Sequence, residues 1–316
     1  MDKAQENPRA YIEALLDILQ QHSLKRDEVD WKAFREELLA QTAEARSISD
    51  TYPAIENAIK KLHDGHSMFL SPVTVNSWTH DSRPPLPEGK RIGSVAYLNV
   101  PWFVPNDEMS STAYVDDLHK LIASLDTGNV TGWVLDLREN TGGNSWPMLA
   151  GLGPLLDEGL LGFYRSLDEP EIPWGYKDGA AWGYNMTQAS GSGAPYRLKD
   201  TSKPRLAVLT GKNTASAGEL LSVVLKGLPH ARSFGAETSG QATVNERFEL
   251  PDGSIMFLAT GCFADRTGKN YPSKIAPDEK IENSGTSEDL VLNRALSWIK
   301  KPGPVSAAKP RVLKPL

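Results

Sequence analysis

Along the first 62 residues the apolar positions fall three and four apart. Tyr11, Ile12, Leu15, Leu16, Ile18 and Leu19 form one stripe, Trp31, Phe34, Leu38 and Leu39 a second behind Asp30, and Ile55, Ala58, Ile59 and Leu62 a third within Tyr52–Leu62. On a helix of 3.6 residues per turn each set lies on one face, so the pattern predicts three amphipathic helices. Asp30 is the expected N-cap of the second. From Ser71 to Lys90 the pattern dissolves into Pro, Ser and charge, which predicts a loop.

Beyond Arg91 the period changes. Ile92, Val95, Tyr97, Leu98 and Val100 alternate as in a strand, Tyr114–Leu125 returns to helical spacing, and Gly132–Leu137 is an apolar run of the kind buried on both faces of a sheet. Trp146–Leu156 predicts a helix interrupted by Gly151, Gly153 and Pro154. Glu169–Pro195, rich in Gly, Pro, Trp and Tyr, predicts a long loop whose Trp174, Tyr176, Trp182 and Tyr184 line a cleft or pin the loop down, with the cleft preferred. Leu206–Leu209 is a strand, and Leu220, Leu221, Val223, Val224, Leu225 and Leu228 mark a helix. Ala231–Phe234, Thr243–Leu250 and Ser254–Ala259 are strands, with Pro251-Asp252-Gly253 a turn, before a last helix at 287–299. Strands alternating with helices predict a layered α/β core behind a small helical N-terminal part.

The totals exclude more than they assign. With 316 residues the chain can bury a large core. A formal net charge of −6 without a Lys/Arg cluster argues against nucleic acid as a partner. No apolar run approaches the roughly 20 residues of a membrane helix. A single Cys262 excludes an internal disulfide and a cysteine metal site, and no phosphate loop, dinucleotide fingerprint or zinc spacing calls for a cofactor or metal. Met1–Ala10 is polar and Tyr11–Leu19 contains Glu13 and Asp17, so no signal peptide is legible. The chain as written therefore reads as cytoplasmic, whereas a chain whose signal segment had been removed would be periplasmic or extracellular.

Chemistry concentrates at Asn213-Thr-Ala-Ser-Ala-Gly-Glu-Leu220. Ser216 is expected at a strand-to-helix turn, flanked by the small Ala215, Ala217 and Gly218, with the unpaired N–H groups of the helix start beside its hydroxyl. That is a way to present a nucleophile. It is equally the pattern of a capping box, Ser216 with Glu219 three residues on.

This stretch resembles the nucleophile motif of the tail-specific, or C-terminal processing, peptidases. Two further segments match that family in order: Lys61-Leu-His-Asp-Gly-His-Ser67, and Trp133-Val-Leu-Asp-Leu-Arg-Glu-Asn-Thr-Gly-Gly143. The resemblance runs from about Ile55 to Asp278. It implies a ClpP/crotonase-like core, a serine peptidase, and a peptide or protein as substrate. With the patterns above, the chain divides into an N-terminal helical cap at 1–70 that ends in the His66 motif, a linker at 71–90 too short for the PDZ domain many relatives of that family carry, a catalytic domain at 91–301 and a Pro- and Lys-rich flexible tail at 302–316.

Many relatives activate their serine with a lysine, but Gln241 occupies that position here, and an amide cannot take a proton near neutral pH. The resemblance then points to the family's PDZ-less Ser/His branch, with His66 as general base for Ser216 and His63 as runner-up. A histidine base predicts activity that falls as pH drops through the ordinary imidazole pKa, near 6.5. Oxyanion donors are expected from the N–H groups of Gly143, with Gly142 as alternate, and Ala217. The tricorn-type glutamate is missing from Tyr271–Asp278, which leaves Glu219 as first choice to support His66, with Asp64 and Ser67 behind it. In the same branch Asn144, Trp146 and Glu246 would help to hold the peptide. Two alternatives share the fold: a non-catalytic module carrying a peptide or apolar ligand, and a thioester enzyme of crotonase type.

Overall fold

The computed structural model describes residues 7–81, 84–105, 107–167, 170–200, 204–282 and 288–301; the tail expected at 302–316 lies outside them. The chain forms two compact units, one of Met1–Ser82, Ser166–Glu169 and Thr243–Gly261, the other of Arg83–Arg165, Pro170–Ala242 and Cys262–Leu316.

The first unit holds the three expected helices: α1 (Pro8–His22), α2 (Trp31–Gln41) and α3 (Tyr52–Lys60). Asp30 caps α2 by accepting from Ala33 N–H at 3.1 Å. The apolar stripe of α1 packs with Leu38, Ile55, Ile59 and Leu62 against Met256 and Leu258 of a late strand. A short strand β1 (Met68–Leu70) follows, then α4 (Pro72–Asp81), so the predicted loop at 71–90 contains a helix. Ser71 Oγ accepts from Thr74 N–H at 3.3 Å and Pro72 opens α4, which are start signals that the polar composition hid. Strands β11 (Thr243–Glu249) and β12 (Ile255–Asp265) pair with each other, and β1 runs antiparallel to the first half of β12. The turn between them is the expected one. Its Asp252 takes hydrogen bonds from Tyr11 and Tyr52, tying the hairpin to α1 and α3.

The second unit is built on a six-stranded sheet of β2 (Glu88–Ile92), β3 (Val95–Asn99), β4 (Gly132–Asp136), β9 (Arg205–Thr210), β10 (Ala231–Gly235) and β14 (Glu279–Lys280), in the order β14-β10-β9-β4-β3-β2. All its pairings are parallel except β2 with β3. One face, Val95, Val134, Ala207, Leu209 and Phe234, packs on Val291, Ala295 and Ile299 of α8 (Leu290–Lys300). The alternate residues Trp133, Leu135, Leu206 and Val208 point the other way and are buried too, as the apolar runs required. Helices α5 (Glu108–Leu125), α6 (Ser145–Leu152) and α7 (Ala217–Lys226) belong to this unit too.

The region predicted as a long loop holds three strands instead, β6 (Ile172–Lys177), β7 (Ala180–Gly183) and β8 (Met186–Ser190), which continue an antiparallel meander begun by β5 (Gly159–Ser166). Its tight turns sit at Asp178-Gly179 and Tyr184-Asn185, with φ of 49°, 86°, 52° and 59°, the twist that two-residue hairpins demand. Trp174 and Tyr176 are core residues here, Trp182 is half-buried, and Tyr184 is exposed at the second turn. The last strand, β13 (Asn270–Tyr271), pairs with the end of β12.

Candidate active site

Within the second unit, β4 and β9 lie side by side, and the loops leaving their carboxyl ends are stitched together. Leu137 N–H donates to Leu209 O, Thr214 Oγ1 to Leu137 O at 2.8 Å, and Ala215 N–H to Asn140 O at 2.9 Å. Asn140 is fully buried and holds its own loop: its amide donates to the carbonyls of Val100 and Pro101, and its Oδ1 accepts from Gly142 N–H at 3.0 Å.

Ser216 stands at the turn into α7 with φ +50° and ψ −112°, a conformation that L-residues rarely adopt. It is the geometry of a nucleophile elbow, in which a sharp strand-to-helix turn projects the hydroxyl outward. A Cβ on Gly142 would lie 2.9 Å from Ser216 Cβ, so only glycine lets the two loops close this far. One on Gly143, whose φ is +104°, would overlap the carbonyl oxygen of Phe103.

The N–H groups here divide into spent and available. Gly142 donates to Asn140, Gly218 to Ala215 O, and Glu219 to Ser216 O. Those of Gly143 and Ala217 have no acceptor among the described residues.

Glu219 is fully buried and accepts four hydrogen bonds, from Ser216 N–H at 3.1 Å, Thr238 Oγ1 at 2.5 Å, Gly240 N–H at 2.9 Å and Gln241 N–H at 2.7 Å. Burial pushes its pKa up and these donors pull it back, with burial prevailing. Both oxygens are occupied, and through them Glu219 anchors the serine turn to the loop at 238–241. Gln241 meets it through the main chain. Ile275, in the segment where the family's glutamate was sought, donates its N–H to Thr238 Oγ1 at 2.8 Å and so buttresses the same loop.

Within the first unit, Asp64 shapes the turn that carries His66. Its Oδ1 accepts from the N–H groups of His66 and Ser67 at 2.8 and 2.7 Å, and its Oδ2 from the Ser67 hydroxyl at 2.6 Å. Asp64 and Ser67 are thus committed to the turn. His63 is exposed in the left-handed conformation after α3, a helix-ending position. His66 is 5% exposed, and its Nδ1 lies 2.6 Å from the hydroxyl of Thr243, itself 3% exposed. Burial pushes the imidazole down to about 4, against an opposing pull from Asp64. Thr243 escaped the sequence reading because a threonine in a strand carries no signature beyond β propensity.

Of the residues expected to hold peptide, Asn144 caps α6 by accepting from Trp146 N–H at 3.0 Å, and Trp146 is half-buried, its ring edge-on to Tyr164. Glu246 is exposed on β11, one residue beyond Asn245, whose amide donates to the His66 carbonyl at 3.0 Å. Among the described residues no group of three or more His, Cys, Asp or Glu side chains is placed to hold a metal ion, and no helix is long and apolar enough to cross a membrane. A pocket of about 220 Å³ in the second unit, lined by Trp133, Tyr176, Leu206 and His230, opens at the amino ends of β4 and β9. Ser216 and Gly143 follow the carboxyl ends, where open parallel sheets bind their ligands.

The model of peptidase family S41 matches residues 94–281. The nisin-resistance protein of Lactococcus lactis subsp. lactis is 28% identical over 302 residues, covering 93% of this chain and 87% of its own. The chloroplastic carboxyl-terminal-processing peptidase 2 of Arabidopsis thaliana is 32% identical over 167 residues, 52% of this chain and 27% of the relative. A solved lipoprotein from Streptococcus agalactiae superposes with a TM-score of 0.75 at 27% identity, covering 93% of this chain and 96% of that one.

Proposed function

Because the chain belongs to peptidase family S41 and is a serine-type peptidase, we propose that it hydrolyses unstructured peptides or protein C-termini through an acyl-enzyme on Ser216, with His66 as general base. His66 Nε2 takes the hydroxyl proton as Ser216 Oγ bonds to the scissile carbonyl carbon, and the C=O pair moves onto oxygen. That oxyanion is received by the N–H groups of Gly143 and Ala217. Nε2 then passes the proton to the leaving amine. In the second half a water gives its proton to Nε2 as its oxygen attacks the acyl carbon, and Ser216 recovers a proton as the acid departs.

The observation that carries this reading is the elbow itself. A strained serine stands at the turn into α7, and the N–H groups of Gly143 and Ala217 have no acceptor among the described residues, whereas those of Gly142 and Gly218 are spent. The capping box is present as well, with Ser216 N–H donating to Glu219 at 3.1 Å, but a cap accounts neither for the φ of +50° at Ser216 nor for the Gly143 N–H left without an acceptor among the described residues. Asn144, Trp146 and Glu246 are assigned to peptide binding by the family resemblance. The similarity to a carboxyl-terminal-processing peptidase favours tails as substrates, and recognition would fall to the peptidase domain itself.

Cleavage of an unstructured peptide followed by mass spectrometry tests the proposal. Ser216→Ala and His66→Ala are each expected to lose at least about 10³-fold in kcat with the circular dichroism unchanged. Full activity in either folded variant would overturn the assignment.

A further inference from the structure

Among the described residues no carboxylate is hydrogen-bonded to the ring of His66, and the side chains around it indicate what takes that place. Its ring nitrogen Nδ1 meets Thr243 Oγ1 at 2.6 Å, with both residues buried. Two positions along the same strand, and so on the same face, Asn245 Nδ2 donates to the His66 carbonyl at 3.0 Å. On the other side of the residue, Asp64 accepts its main-chain N–H. The backbone of His66 is thus held at both polar groups, and its ring has one polar side-chain partner among the described residues.

A hydroxyl can donate to Nδ1 or accept from it, and the two choices select opposite tautomers. If Thr243 donates, Nε2 carries the hydrogen and has no lone pair for a proton. If it accepts, Nδ1 carries the hydrogen and Nε2 presents its lone pair. We propose that Thr243 is the positioning residue of this peptidase: its Oγ1 accepts from Nδ1–H of His66 and holds the ring as the Nε2 base, a neutral third member where a triad has an acid. This rests on the assignment of His66 as general base. Such a partner fixes tautomer and direction but adds no charge to stabilise an imidazolium, which separates it in kind from an aspartate or glutamate.

The test has two arms. Histidine ¹⁵N NMR of the Ser216→Ala protein near pH 7 reads the tautomer without any activity. Expected is a protonated Nδ1 and an unprotonated Nε2 for His66, and an Nε2–H ring would overturn the proposal. In the active chain, Thr243→Val keeps the side-chain shape and removes the acceptor, and is expected to lower kcat by about 10²-fold with KM little changed. Thr243→Ser restores the hydroxyl and is expected to stay within about threefold of the parent. Full kcat in Thr243→Val, alongside inactive His66→Ala, would remove the role of Thr243 and leave the base in place. Activity retained in His66→Ala would remove the base itself.

Discussion

The carboxylate of Glu219 receives the main-chain N–H of Ser216 at 3.1 Å, and the same two oxygens receive Gly240, Gln241 and Thr238. A residue that belongs to the first turn of α7 therefore fixes the residue just before the helix and a loop some twenty positions later. Ser216 is held by a buried carboxylate whose oxygens face donors.

Glu219→Gln tests that arrangement. An amide offers one acceptor oxygen and turns an NH₂ toward donors, so at least one N–H loses its partner and faces another donor. The expected cost is about 2–4 kcal/mol in denaturant unfolding, with kcat reduced by more than tenfold. A variant with unchanged stability and turnover would mean that the loop holds itself.

The strain at Ser216 has its own signature. A non-glycine residue at φ +50° and ψ −112° costs of order 1–3 kcal/mol. Ser216→Ala keeps that cost, whereas Ser216→Gly releases it and gives back part as backbone entropy. Both variants are expected to be inactive, with Ser216→Gly the more stable of the two by about 1 kcal/mol. Equal melting temperatures would indicate that the turn carries no strain.

Gly143→Ala drives a Cβ into the Phe103 carbonyl and cannot keep φ +104° cheaply. The loop must shift and take its N–H with it. A loss of about 10²–10³-fold in kcat is expected, the scale of one oxyanion donor. Peptide hydrolysis at saturating substrate measures it, and an unaltered kcat would exclude Gly143 as a donor.

The pH profile departs from the expectation for an ordinary histidine. Burial pushes His66 down to about 4, so the neutral base persists through mild acid. The kcat/KM profile is expected to stay level from about pH 8 to about pH 5 and to fall with a midpoint near 4. A midpoint at 6–7 would show a solvated imidazole. Stability follows the same group with the same sign: below about 6.5 the unfolded chain takes a proton that folded His66 refuses. Folding free energy is therefore lost between about pH 6.5 and 4, by an amount of about 3 kcal/mol for the full shift.

The parts legible in the sequence were those whose signals are local. The stripes of α1, α2 and α3, the apolar runs of β4 and β9, and the small residues around Ser216 each declare themselves within a dozen positions. The β5–β8 meander did not, because Gly, Pro and Trp read as loop composition and the turn at Tyr184-Asn185 lacks the glycine that marks such hairpins. Two further relationships depend on distant partners. Glu219 bonds to the loop at 238–241, and Thr243 meets His66 from 177 positions away. Chain-local patterns report faces and turns, and the choice of hydrogen-bond partner is made by the fold.

Covalent capture of the nucleophile is the most direct measurement of the central claim. A fluorophosphonate probe reacts only with an activated hydroxyl, and peptide mapping locates the adduct. Expected is a single adduct on Ser216, absent in Ser216→Ala and at least about tenfold slower to form in His66→Ala. No adduct at Ser216 in a preparation that still cleaves peptide would contradict an acyl-enzyme on that residue.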